Sequence, residues 1–234
     1  MAKSVNPGGR KPTLVDALAR VARAGDHIAS LESNCASSFS PNTTTTIGHH
    51  NAALLGIPPT RVEAPPILSI LVGETIYNLR AALDYLVYEL VYLDTGKPLK
   101  RVTQFPIVDT PQAWNAHIPN ATTPTKKRSK MWLHRLSPSH QAGLYRLQPC
   151  NGCTWTKNLS ELSNPDKHRR LTFVEPVTTS APDGANTRLT QPTMTTYRFT
   201  GDIALEDGAL VIQTLKNLQQ EVTDAIRAFE PDFK

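Results

Sequence analysis

The chain has 234 residues, 39% hydrophobic and 19% charged, with 25 Lys and Arg against 20 Asp and Glu. That is enough apolar material for a full core and excludes the charge-rich, core-poor composition of a disordered chain. A net charge of +5 permits a polyanion partner without demanding one, and three cysteines make no disulfide scaffold. No apolar core of a leader peptide follows the basic, polar start, so a cytoplasmic location is expected, and no stretch approaches the roughly 20 apolar residues of a membrane span.

Residues 1–12 read as a flexible tail, and 13–234 as one domain with long loops at 35–64 and 119–130. A helix is predicted from Thr13, as N-cap, with Leu14, Leu18, Val21, Ile28 and Leu31 as its apolar stripe and Gly25 as a weak point. A short strand is predicted at 43–47. Residues 65–95 then form the most regular segment of the chain. Val72, Ile76, Leu79, Leu83, Leu86 and Leu90 recur at three- and four-residue steps, which places them on one face of a helix. The rest of that helix carries Glu74, Tyr77, Asn78, Arg80, Asp84, Tyr85, Tyr88, Glu89 and Tyr92, so its second side is not a plain solvated face.

After a stop at Gly96 and Pro98 come an extended piece at 102–107 and a short helix at 111–117. A basic loop follows at 119–130. Ser137 as N-cap and Pro138 as first helical residue open a helix to about 147. Cys150 to Cys153 is a turn, 155–163 a helix ending at Asn164–Pro165, and 171–174 a strand. A polar loop at 178–192 leads to strands at 193–200 and 209–214, joined by a turn at Glu206, Asp207 and Gly208. A helix from about 216 to 229 closes the chain. The order predicts an α+β fold: a dominant antiparallel helical bundle with a small antiparallel sheet toward the C-terminus.

Two charged clusters can carry chemistry. Arg80 and Asp84 lie one turn apart, with Tyr77, Asn78 and Tyr88 on the same arc. A guanidinium held by a carboxylate can offer its remaining donors to a phosphate, or the pair can simply fix helix packing. Asp166, Lys167, His168, Arg169 and Arg170 crowd one turn, where an imidazole can titrate or meet a phosphate. Cys150 and Cys153 lack a second ligand pair, so no metal and no cofactor are expected. The loop Lys126–Lys127–Arg128–Ser129–Lys130 with Trp132, His134 and Arg135 has the cation–aromatic interleaving that suits a nucleic-acid strand, and also the composition of a solvated loop.

The runs GETIYNLRAALDY (73–85), QFPI (104–107), LQP (147–149) and NPDKHR (164–169) together resemble a group of uncharacterised bacterial and phage proteins. A second resemblance is to the HEPN superfamily of helical, nucleic-acid-associated proteins, many of which place an Arg and, after four to six intervening residues, a His on one helix. Tyr85 stands where that His would follow Arg80. A phenol near pKa 10 does not replace imidazole in acid–base work, which leaves His168 as the imidazole to bring to Arg80. Arg20 and His27 also fit the spacing. The resemblance implies RNA or nucleotide binding, as a degenerate or an active ribonuclease, in a phage–host or defence setting, and a homodimer. Arg80 and His168 are then the catalytic candidates, with Tyr77, Asn78, Asp84, Asp166, Lys167 and Arg169 binding nucleic acid or phosphate. The rival expectation is a non-enzymatic module that binds a host protein partner.

Overall fold

The apolar stripe of the long central segment is the axis of the fold. In the computed structural model this segment is one helix, Pro66–Thr95, and Val72, Ile76, Leu79, Leu83, Leu86 and Leu90 are each at most 1% exposed. Pro66 opens it where no amide hydrogen is needed, and Gly96 closes it at φ 66°, a left-handed conformation that glycine adopts without a Cβ clash. Residues 10–39, 44–49, 64–97, 104–116, 133–168, 175–180, 193–205 and 208–234 are described; for 44–49, 164–168, 175–180 and 193–202 the backbone alone is described.

In chain order the elements are α1 (Val15–Ser38), β1 (Thr44–His49), α2 (Pro66–Thr95), α3 (Pro111–Asn115), α4 (Pro138–Arg146), α5 (Thr154–His168), β2 (Glu175–Ser180), β3 (Thr193–Ala204) and α6 (Val211–Arg227). Short 3-10 turns lie at Leu133–Arg135, Pro149–Asn151 and Glu230–Phe233. The molecule is chiefly helical. α1 packs along α2, and α6 lies against both. Thr13 meets Glu89, Arg20 meets Asn78 and His27 meets Glu74, so residue numbers rise on α1 as they fall on α2 and the two helices are antiparallel. Their joint core holds Val21, Ile28 and Leu31 from α1 and Leu215, Leu218, Val222 and Ile226 from α6. Each leucine buried in this way contributes about 1.5–3 kcal/mol by removal from water. The backbones of the three extended segments pair antiparallel in the order β1–β3–β2, with Thr44 opposite Arg198 and Ser180 opposite Tyr197, and β3 contacts α1 and α6.

Four expectations shift. The segment 209–214 is not a strand. β3 runs on to Ala204, a single bridge joins Ala204 to Leu210, and α6 begins at Val211. The helical period of the final helix extends back through Leu215 to Val211, and burying that face outweighs the short alternation over 209–214. The helix from 154 does not end at Asn164–Pro165 but continues to His168, since a proline removes one hydrogen bond close to a helix end. The first loop starts later than 35, because α1 reaches Ser38. Thr13 lies one residue before the cap position, its hydroxyl accepting Val15 N–H at 3.3 Å. Of the flexible tail expected at 1–12, residues 1–9 lie outside the described residues while Arg10 bonds to the buried Glu89; the strand at 171–174, the basic loop at 119–130 and Arg169 also lie outside the described residues.

Two glycines are used for close approach. Gly25 does not interrupt α1; Gln219 of α6 lies over its bare Cα and donates to Val21 O at 3.4 Å. Gly143 of α4 admits the Phe229 ring, whose Cε1 would stand 2.7 Å from an added Cβ. Gly143→Ala is therefore expected to destabilise by about 1–3 kcal/mol, as overpacking does. A thermal melt of the variant beside the wild type tests this, and an unchanged midpoint would show that the ring yields freely.

Candidate functional site

The α1–α2 seam carries a polar row in which Glu74 is exposed, Arg20 half-buried, and His27 and Asn78 buried. Arg20 and His27 are seven residues apart, two turns along one edge of α1. Arg20 Nη1 donates to Asn78 Oδ1 at 3.2 Å, and its guanidinium lies 5.5 Å from the centre of the Tyr85 ring. Asn78 is buried, and its Nδ2 donates to the Glu74 carbonyl at 2.8 Å. Both ends of that amide are thus satisfied, which a buried amide requires. One turn back, His27 Nε2 stands 3.6 Å from the exposed Glu74 carboxylate, an ion pair only while the imidazole is protonated. Tyr77, next to Asn78, turns outward and is 55% exposed. Arg23, exposed on the same edge of α1, pairs with Asp26 at 3.5 Å.

Arg80 and Asp84 face a different neighbour. Their charges stand 3.9 Å apart, and together they grip one peptide of the 104–107 segment: Arg80 Nη2 donates to Phe105 O, and Phe105 N–H donates to Asp84 Oδ1 at 2.7 Å. The guanidinium also lies 5.8 Å from the centre of the Phe105 ring, which is 1% exposed. Burial lowers the Arg80 pKa, with the Asp84 charge opposing the change. Arg80 Nη1 is buried without a hydrogen-bond partner among the described residues. The pair that reads from sequence as a phosphate-binding candidate thus anchors an extended segment that has no ladder of its own.

Asp166, Lys167 and His168 fall in the last turn of α5, with side chains outside the described residues, so the expected meeting of Arg80 with His168 lies outside them too. Cys150 and Cys153 are free and half-buried. Cys150 N–H donates to Val108 O at 3.1 Å, and Tyr145, whose ring is tilted 59° to that of Trp114 with ring centres 5.3 Å apart, has its pKa raised by burial and then by Cys150. No group of three or more His, Cys, Asp or Glu among the described residues is placed to hold a metal ion. No described helix is long and apolar enough to cross a membrane.

Two polar clusters escape the sequence reading. The Glu89 carboxylate, fully buried, accepts from the Arg10 guanidinium and from Thr13 N–H at 2.9 Å, while Tyr92 donates to Arg10 O. Asp94 lies in the last turn of α2, where the helix dipole disfavours an acid. It turns instead to the start of α4, accepting Ser137 N–H at 2.7 Å beside His140 Nδ1 at 2.7 Å. Asp232 stands 3.5 Å from His140 Nε2. A buried acid such as Glu89, amid apolar helix positions, is a signal that sequence does hold; its partner is not.

The chain matches no protein-family model, no curated protein and no solved structure. The functional reading therefore rests on the motifs and on this geometry.

Proposed function

We propose that this chain is a HEPN-like helical protein that binds RNA or a nucleotide at the α1–α2 seam, with Arg20 and His27 meeting phosphate. The observation that supports the reading is that both residues, spaced as an Arg–six residues–His pair on one helix, turn toward the same neighbouring helix and share its polar edge through Asn78 and Glu74. Arg20 spends one donor on Asn78 and keeps others for a phosphate oxygen, which guanidinium binds well. The imidazole of His27 is the group suited to acid–base work near neutral pH. Arg80 and Asp84 position the 104–107 segment in this reading. Asp166, Lys167, His168 and Arg169 are a second charged run of the sequence, offered as phosphate-binding candidates by the resemblance. The paired strands complete an α+β domain as a small antiparallel sheet. A cytoplasmic homodimer in a phage–host or defence setting is the context the resemblance supports.

The test is a titration of the protein against labelled single-stranded RNA at two salt concentrations, with Arg20→Ala and His27→Ala beside the wild type. Binding is expected to weaken with salt, and Arg20→Ala to weaken it about tenfold, the share of one charge-assisted contact. Shortened RNA made by the wild type and not by His27→Ala would make the site catalytic. A folded Arg20→Ala protein that binds as the wild type does would remove the proposal, as would a wild type that binds nothing.

A further inference from the structure

Three elements meet at one imidazole. His140 lies in the first turn of α4 and is 6% exposed. Its Nδ1 stands 2.7 Å from Asp94 Oδ2 at the end of α2, and its Nε2 stands 3.5 Å from Asp232 Oδ2 in the 3-10 turn Glu230–Phe233. The Asp94 carboxylate is nearly buried and also accepts Ser137 N–H, whereas Asp232 is half exposed. Just before the turn, Phe229 sets its ring edge-on to the imidazole, 6.1 Å between centres, and covers the bare Cα of Gly143. Within the turn, Asp232 N–H donates to Phe229 O at 3.0 Å, and Phe233 packs against the core. Among the described residues the ring forms ion pairs with these two acids alone. The other charged groups around it, His134 and Arg135 before α4, Arg146 at its end, Arg227 of α6, and Glu230 and Lys234, make none with it.

We infer that His140 is a proton-operated latch that ties the 230–233 turn to the junction of α2 and α4 and lets it go as pH rises. An imidazolium has two N–H donors and meets both carboxylates at once, whereas a neutral imidazole has one. Asp94 is the closer and the more buried acceptor, so the remaining N–H stays with it. Nε2 then turns a lone pair toward the Asp232 carboxylate, and the contact changes from attraction to repulsion. The N-terminal end of α4 disfavours a cation at this position, and the two carboxylates offset it. Histidine changes charge between about pH 5 and 8. The tie is therefore present on the acid side of that window and lost on the alkaline side. Its loss frees the turn that carries Phe233 and loosens the cover over Gly143. The latch is independent of the ligand proposed above, because Arg20 and His27 take no part in it.

The experiment is hydrogen–deuterium exchange of the full chain at about pH 6 and about pH 8, the two sides of the histidine window, with labelling times scaled for the intrinsic chemical rate. Mass spectrometry reads the peptide that holds Phe229 to Phe233. Wild type, Asp232→Asn and Glu230→Gln are compared. Both substituted residues are exposed, so the variants are expected to fold, and far-UV circular dichroism checks that they do. The expected result is that the wild-type turn exchanges about threefold faster at the higher pH, the share of a half-exposed ion pair. Glu230→Gln should keep that step. Asp232→Asn should exchange faster than wild type at the lower pH and show no step. Equal wild-type exchange at the two pH values would overturn the latch. A step that survives in Asp232→Asn would overturn it as well, since the proton would then act through another group, and so would a step that Glu230→Gln abolishes.

Discussion

Arg10→Ala is expected to lower the unfolding free energy by about 3 kcal/mol, the lower end of what removing one partner of a buried ion pair costs. For a chain of this size that is a fall of about 6–12 °C in Tm. The carboxylate of Glu89 has no exposed surface and sits among the leucines of α2, where an unpaired charge is costly. In the wild type it holds the Arg10 guanidinium and the Thr13 N–H, and Tyr92 fixes the Arg10 carbonyl from the same helix. The hydrogen bond to Glu89 is the main reason the Arg10 pKa is raised, ahead of the charge of Asp16 at 3.6 Å. Arg10 is half exposed, so part of its own contribution is screened by water, which is why the lower end applies. Glu89→Gln keeps an acceptor and loses the charge, and should cost less. The pair Arg10→Ala with Glu89→Leu should recover much of the loss, since an apolar residue leaves nothing to neutralise. Denaturant unfolding of the four proteins measures this. A change below 0.5 kcal/mol in Arg10→Ala would show that Thr13 N–H alone satisfies the carboxylate.

How much was legible in the sequence follows from how local each signal is. The six apolar residues from Val72 to Leu90 specify a helix by their own spacing, and the capping signals at Pro66, Gly96 and Ser137 act within a few residues, so those elements stand where the sequence places them. At the start of α6, Leu210 and Ile212 mimic a strand over a short window. Only the longer stripe through Leu215 and Leu218 exposes the period. The polar partners were not legible. Asn78 is met by Arg20 from 58 residues away and Glu89 by Arg10 from 79 away. Nothing local in the chain marks which of its cations will arrive. Arg80 and Asp84 are the instructive case: their one-turn spacing predicts a pair, and they do stand together, but the peptide they hold belongs to a segment 21 to 25 residues later. The spacing identifies the pair and says nothing of its occupant.

Arg80→Ala is expected to destabilise by about 3–4 kcal/mol and to leave the RNA affinity of the folded molecules within twofold of wild type. The guanidinium pairs with the half-buried Asp84 and donates to Phe105 O; without it the carboxylate loses that positive charge and the carbonyl loses its donor. Phe105 would then be held by its N–H bond to Asp84 and by packing. Its ring is among the largest fully buried side chains, so Phe105→Ala should cost about 3–5 kcal/mol by the same release of the 104–107 segment. Arg80→Lys should not rescue: an ammonium is a compact point charge and does not reproduce the fork that spans Asp84 and a carbonyl. Arg20→Ala should show the opposite pattern, a small loss of stability and a large loss of binding, because Arg20 is half-buried at an open edge and its described contacts are one amide oxygen and one ring face. Urea unfolding and anisotropy titrations on the same preparations separate the two. A stable Arg80→Ala protein that no longer binds RNA would move the ligand to Arg80 and away from the seam.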